Sequence, residues 1–188
     1  EIQHSVSERY VLVDADAGRT VATLGEVPGG RYTGVRFLLG VDALDNRAAM
    51  EDFPAGHPLA AQASSMHWNW NAGYVFLRLD GLLDVDGDGV VDPATGTPGD
   101  AASGQWRLHV GGSPNAQTVT LDQDFELMGG EMQDLHVQLD LARLVQGIDY
   151  TAPANRFCMT GGCQAVVDQA KANTQAAFTL HGVHGHDM

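Results

Sequence analysis

The chain has 188 residues and a mass of 20.0 kDa, which predicts a single domain, residues 1–188, that can bury a hydrophobic core. Its 24 acidic and 10 basic side chains give a net charge of −14, which disfavours nucleic acid and anionic membranes as partners. No apolar run approaches the roughly 18 residues of a membrane span. The polar start at Glu1 is compatible with a mature chain after removal of a signal peptide.

The first third of the chain predicts short strands separated by turns. Residues 10–13 and 20–24 read as strands on either side of an Asp- and Gly-containing turn. Residues 35–41, VRFLLGV, form a near-continuous apolar run, which predicts a core strand buried on both faces or nearly so. Residues 46–65 are polar and alanine-rich, with two prolines, and predict an irregular connection containing one helical turn.

The middle of the chain adds further strands. They are predicted at residues 74–79, 106–110, 118–121 and 135–141. The last of these, LHVQLDL, alternates strictly between apolar and polar residues, which indicates a strand with one buried face.

The end of the chain predicts one helix and a tail that is mobile at its end. Residues 163–178 place valines and alanines at helical spacing. The tail, HGVHGHDM, is rich in glycine and histidine. Together the elements predict a mainly β fold, an antiparallel β-sandwich-like domain with long irregular loops and one C-terminal helix.

An acidic loop follows the strand at residues 74–79. Residues 84–95 begin DVDGDGVVD, with the oxygen spacing and the turn glycine of a calcium loop. The predicted calcium ligands are Asp84, Asp86, Asp88, the Val90 carbonyl and Asp92. Thr95 stands where a bidentate Glu normally closes the shell, so Asp100 or water would complete it. The structural alternative is a solvated acidic loop.

The two cysteines, Cys158 and Cys163, are separated by four residues. An even count favours a small disulfide loop in an exported protein. A reduced pair in the cytosol and a thiolate metal site are the alternatives.

Residues 66–81, MHWNWNAGYVFLRLDG, concentrate two of the three tryptophans. If the start is extended, His67 shares one face with Asn69, while Met66, Trp68 and Trp70 share the other. The structural interpretation is a tryptophan-capped corner of a β core. The functional one is a soft-metal site, because imidazole, thioether and aromatic groups together suit Cu(I).

Eight histidines are many for an acidic chain. His109 and His136 lie inside predicted strands, from which either could reach His67 across a sheet. Taken alone, each is more typical of a hydrogen-bonded residue at a sheet rim. Three histidines in the tail could bind nickel or copper adventitiously. The chain has no G-x-S-x-G, H-E-x-x-H or Walker motif, so the sequence predicts no hydrolytic activity.

Four segments in order resemble the MbnP-like family of copper-binding proteins, and most closely its methanotroph copper-repressible surface members CorA and MopE. They are GVRFLLGVDALDN at 34–46, SMHWNWNAGYVFLRLDG at 65–81, LHVGG at 108–112 and ANTQAAFTL at 172–180. The resemblance implies a Cu(I) protein that is secreted, periplasmic or at the outer cell surface. Its site would use histidines and a tryptophan oxidised to kynurenine, whose exposed amine is a nitrogen ligand. The implied oxidant is a MauG-like dihaem peroxidase.

The resemblance does not fix the ligand set, because both Trp68 and Trp70 are available for conversion. We take His67 with Trp68 as the core of the copper site, and His136 or His109 as the distant ligand. The leading hypothesis is a monomeric binding protein for copper acquisition, not an enzyme. The alternatives are a mononuclear copper redox enzyme, which needs an open coordination position and a substrate pocket, and a calcium-stabilised structural module without functional copper.

Overall fold

The computed structural model describes residues 10–60, 65–69, 72–94, 103–159 and 163–185. Within these ranges it confirms a mainly β fold with one long C-terminal helix. The elements in chain order are β1 (Gly30–Leu39), β2 (His67–Asn69), β3 (Gly73–Leu82), β4 (Gln105–Gly111), β5 (Gln117–Leu127), β6 (Gln133–Leu139), α1 (Leu141–Leu144), β7 (Phe157–Cys158), α2 (Gln164–Ala177) and β8 (Phe178–Gly185).

The strands form three sheets. β1 pairs with β5, β6 pairs with β8, and a four-stranded sheet has the order β2-β3-β4-β7. Every pair is antiparallel except β4 with β7. Within the described residues, β3 pairs with its neighbours in the chain, β2 and β4, whereas β1 with β5 and β6 with β8 pair across long intervening segments.

One hydrophobic core lies between the β1–β5 sheet and the β6–β8 sheet. Val119 and Leu121 of β5 are buried with Leu180 of β8, and the Phe37 and Phe178 rings meet edge to face at 5.2 Å. Burial in β1 alternates, with Leu38 43% exposed, so the prediction of a strand buried on both faces is wrong. An antiparallel sheet buries one face against its partner sheet and leaves the other in water.

A second core lies between the four-stranded sheet and α2. Its buried residues are Leu108, Val110, Cys158, Val166, Val167 and Ala170. The predicted helix is confirmed to within one residue at each end. The predicted disulfide Cys158–Cys163 is confirmed as well, and it ties β7 to the start of α2.

Two other predictions are wrong, one because no strand partner is present among the described residues and one because a helical turn replaces the end of a strand. Residues 10–13 and 20–24 contain no strand, and only an isolated bridge joins Asp14 to Arg19, because their valines are exposed and no sheet covers them. Residues 181–185 of the tail pair with β6 as part of β8, and the end of the tail, residues 186–188, lies outside the described residues. Leu141 begins α1 instead of ending β6, since the Asp140 carboxylate accepts a hydrogen bond from Arg143 N and caps a helical turn.

Within the described part of the chain, no helix is both long enough and apolar enough to cross a membrane.

Candidate metal centres

The tryptophan-rich corner is built by β2 folding back on β3. His67 pairs with Tyr74, and their rings meet edge to face at 4.7 Å. Gly73 turns the chain with φ of 76°, a conformation that glycine adopts without strain. The buried Asn46 accepts from Tyr74 N at 2.8 Å and donates to Ser113 Oγ at 3.1 Å. This side chain therefore ties the corner to the segment that follows β4.

A cavity of about 180 Å³ opens beside the corner. Its lining includes Trp68, His109, Met159 and Gln164. The indole lies close against Gly111, where a Cβ would stand 2.8 Å from Trp68 Cζ3. Only glycine permits that approach. The structure thus places one predicted tryptophan and one predicted distant histidine on the wall of the same cavity.

His109 is held by a carboxylate on the neighbouring strand. Its Nε2 lies 3.1 Å from Asp80 Oδ1, and the imidazole is only 7% exposed. Arg78 Nε donates to Asp80 Oδ2 at 2.7 Å, and Arg107 Nε lies 3.1 Å from Oδ1 as an ion pair. Burial alone would raise the pKa of Asp80, but the hydrogen bonds from Arg78 and His109 outweigh it and lower this pKa.

These contacts define which nitrogen of His109 can bind a cation. An ionised Asp80 can only accept, so His109 Nε2 must carry the hydrogen. Burial lowers the pKa of His109 more than Asp80 raises it, which favours the neutral ring. In that tautomer Nδ1 keeps its lone pair. A carboxylate on one ring nitrogen with the other left for a metal is the usual arrangement of metal-binding histidines.

His67 lies on the opposite face of β2 from Trp68, because neighbouring strand residues point to opposite sides. Its buried Nε2 has no hydrogen-bond partner among the described residues, and the same holds for Trp68 Nε1. Burial lowers the pKa of His67, and the charge of Glu51 opposes that shift only partly. A neutral buried imidazole with an unsatisfied nitrogen is suited to ligate a soft cation.

His136 lies elsewhere, on β6, where its ring contacts His184. Trp70 lies outside the described residues. In the described ranges, the only three donors of the His, Cys, Asp and Glu types whose ligand atoms fall within 4.8 Å of one another belong to the acidic loop. The predicted copper histidines therefore do not form one preassembled cluster.

The residues around the cavity nevertheless fit a soft metal ion. They combine an oriented imidazole at His109 with a thioether at Met159, and the indole of Trp68 lies on the same wall. Imidazole and thioether are ligands that Cu(I) prefers to carboxylate oxygens.

The acidic loop gathers three of the predicted calcium ligands, and this cluster can hold a metal ion. The carboxylates of Asp84, Asp86 and Asp88 converge within 4.8 Å. Both Asp84 oxygens accept backbone hydrogen bonds, from Gly87 N at 2.7 Å and from Gly89 N at 2.8 Å. The bond from Gly89 is the main cause that lowers the pKa of Asp84.

The remaining predicted calcium ligands are placed differently. Asp92 stands outside the group, since its Oδ2 accepts from Val85 N at 2.7 Å. Val90 N donates to Asp88 Oδ1 at 2.7 Å, which folds the loop around the cluster. Thr95 and Asp100 lie outside the described residues.

Sequence reasoning missed Asp80, Met159 and Asn46. Asp80 stands just after the predicted strand 74–79, and nothing nearby marks it, because its partner His109 is 29 residues away. Met159 could have been noticed between the two cysteines, whose disulfide fixes the edge of the sheet beside β4. Nothing in the sequence marks Asn46, whose role depends on the close approach of two distant loops.

Comparison with known families gives one match: the model of the MbnP family covers residues 1–160. No curated protein and no solved structure matches the chain.

Proposed function

The chain belongs to the MbnP family, and we propose that it binds Cu(I) for copper acquisition in the periplasm or at the outer cell surface. Membership by itself indicates a copper-related, metal-binding protein. The finer proposal adds the oxidation state of the metal, the site and the role. It also includes the relation to the copper-repressible members CorA and MopE.

The observation that carries this proposal is the shared cavity of Trp68 and His109. We assign His109 Nδ1 as one ligand, because Asp80 occupies Nε2 and the ring is almost fully buried. His109 is therefore preferred to His136, whose side chain is exposed on another sheet. A cavity lined by imidazole and thioether favours Cu(I) over harder cations.

Trp68 would become a ligand only after oxidation. Cleavage of the pyrrole C2–C3 bond adds one oxygen atom to each carbon and gives N-formylkynurenine. Hydrolysis then releases formate and leaves an aromatic amine beside a ketone. The two oxygen atoms are supplied by two molecules of peroxide, which are reduced to water, and we propose a MauG-like dihaem peroxidase as the partner that delivers the oxidising equivalents.

His67 is the third nitrogen that we propose for the site. Its buried Nε2 has no partner among the described residues, which a ligand bond would remedy. Its ring packs on Tyr74, on the face of β2 opposite Trp68, so ligation together with Trp68 requires the β2 backbone to rearrange.

The acidic loop has a different task in this proposal. Clustered carboxylate oxygens suit hard cations, so we propose calcium at Asp84, Asp86 and Asp88, with the Val90 carbonyl and Asp92 able to join. The loop begins two residues after β3, the strand that carries Asp80. Calcium there would stabilise the hairpin that orients His109.

The test is copper content together with intact and peptide mass of protein purified from its source. We expect one Cu per chain and a kynurenine mass change on the peptide that contains Trp68. Trp68→Phe should abolish both, whereas Trp106→Phe should abolish neither, because that indole packs against Tyr150 with the ring planes tilted by 35°. Kynurenine that persists in Trp68→Phe and disappears in Trp70→Phe would move the site to Trp70.

The cavity also favours one second candidate, a mononuclear copper redox enzyme, because its volume leaves room for a small substrate beside the metal. Turnover by the copper-loaded protein with a reductant and oxygen or peroxide would support that candidate. A protein without copper or kynurenine, stabilised by calcium alone, would contradict both and leave a structural module.

A further inference from the structure

The β6–β8 sheet carries a second pair of histidines that the copper cavity does not use. The rings of His136 and His184 lie with their centroids 4.9 Å apart and their planes at 85°. Both side chains are exposed, each on its own strand. Among the described residues neither ring makes a hydrogen bond or an ion pair, so their nitrogens remain open to a cation from solvent.

The strand register explains why these rings meet. His136 stands opposite Gly182, and Asp134 stands opposite His184. Residues two apart on a strand share a face, so the two imidazoles and the Asp134 carboxylate lie on one face of the ribbon. Gly182 leaves the position across from His136 without a side chain. A Cβ there would meet only Gln123 Nε2, at 3.7 Å.

A neighbouring histidine provides a contrast. His181 Nε2 is hydrogen-bonded to Gln138 Oε1, and its side chain is not part of the ring pair. The contact between the His136 and His184 rings therefore depends on the register of β6 with β8. It is not a general property of a histidine-rich tail.

We infer that His136 and His184 form a surface site for a divalent transition-metal ion, with Cu(II) as the cation bound most tightly. Imidazole is a suitable ligand for such ions, and affinity along the first-row divalent series peaks at Cu(II). Asp134 on the same face and the net charge of −14 favour the approach of a cation. The site is distinct from the cavity of Trp68 and His109 and does not depend on the proposed function.

The test is titration of the protein with CuCl₂ in air without reductant, followed by electron paramagnetic resonance. A His109→Ala background removes the buried imidazole of the cavity from the measurement. We expect one Cu(II) whose spectrum shows coupling to two imidazole nitrogens. Either His136→Ala or His184→Ala should weaken binding by at least about tenfold, since even a group that only orients a ligand is worth that much.

Three controls make the result specific to the pair. The His136→Ala/His184→Ala double variant should bind Cu(II) with about the same affinity as the single variants. Either single change already destroys the chelate, so the second change adds no further loss. His181→Ala and His186→Ala should bind Cu(II) as the background does. Unchanged affinity in both single variants, or an equal loss in His181→Ala or His186→Ala, would overturn the inference and leave only adventitious binding to scattered histidines.

Discussion

The surroundings of His109 and His136 determine which of the two imidazoles suits a buried metal site. His109 and His136 each lie in a strand, but His109 is buried against Asp80 while His136 is exposed beside His184. Strand periodicity predicts on which face of a sheet a residue lies. It does not predict which distant carboxylate will lie next to that residue on the neighbouring strand. The choice between these two candidate ligands therefore needed the register of β3 with β4.

The first prediction concerns Asp80, which positions His109. Asp80→Asn should lower the affinity for Cu(I) by about 10–100-fold, because a neutral amide no longer fixes the Nε2–H tautomer or makes Nδ1 more basic. The measurement is competition for Cu(I) against a chromophoric chelator. Nitrogen chemical shifts of His109 in the metal-free protein should show a mixture of tautomers in the variant.

Arg78→Gln is the matched control for Asp80→Asn. It removes the 2.7 Å hydrogen bond to the other carboxylate oxygen and leaves the contact of Asp80 with His109 in place. We expect its Cu(I) affinity to stay near that of the wild type. Equal losses in the two variants would mean that the ion-pair network matters only for folding.

At the scale of elements, β3 connects the two candidate metal centres. It begins at Gly73 in the tryptophan corner and ends at Leu82, just before the acidic loop. The loop is closed at its base by Leu83 N donating to Gly104 O at 2.9 Å and by Asp92 N donating to Leu83 O at 3.1 Å. A cation in the loop would therefore restrain the β3–β4 hairpin that carries Asp80 and His109.

The second prediction tests that element. Asp84→Asn/Asp88→Asn should remove the stabilisation by calcium, which amounts to about 2.7 kcal/mol at a hundredfold excess of ligand over Kd. Thermal unfolding with calcium and with chelator is the measurement. Asp122→Asn/Asp124→Asn on β5 is the control, since it removes the same charge from exposed positions. A melting temperature of the wild type that chelator does not change would exclude calcium from the loop.

The whole fold could be predicted only in part from the sequence, and individual elements show why. β3, β4 and α2 were found at nearly their true bounds, because periodic apolar residues there match burial directly. β8 and the two-residue β7 were missed, since their strand character comes from pairing with β6 and β4. Residues 10–13 have strand composition but no partner, and composition alone does not supply one.

The same holds for the candidate site. Residue type and position predicted His67, Trp68, Trp70, His109 and His136 as candidate copper ligands, and the spacing of its carboxylates predicted the acidic loop. The sequence could not show that Met159 lines the cavity, or which of the candidate histidines does. A cavity is made by segments that only the tertiary structure brings together.

The third prediction concerns the pH dependence of stability of the metal-free protein. Burial holds the pKa of His67 and of His109 below their ordinary value of 6.5, so below that pH the unfolded chain takes up protons before the folded one. The free energy of unfolding should therefore fall as the pH drops through 6.5 and towards the folded-state pKa values. Urea denaturation between about pH 7.5 and 5.5 measures the slope, in a range above the titration of most carboxylates.

The His67→Phe/His109→Phe variant is the comparison for that slope. It keeps aromatic rings at both positions and removes the titrating groups, so its stability should change less over the same range. An equal slope in the variant and the wild type would show that other groups cause the pH dependence.

The most direct test of the proposed copper site is anaerobic Cu(I) competition with three single variants, His109→Ala, His67→Ala and His136→Ala. We expect His109→Ala and His67→Ala to lose tight Cu(I) binding, because each removes a ligand and not merely a group that orients one. His136→Ala should bind Cu(I) as the wild type does, since its ring belongs to a different sheet. Tight binding retained by His109→Ala and lost by His136→Ala would contradict the assignment of the site to the cavity beside Trp68.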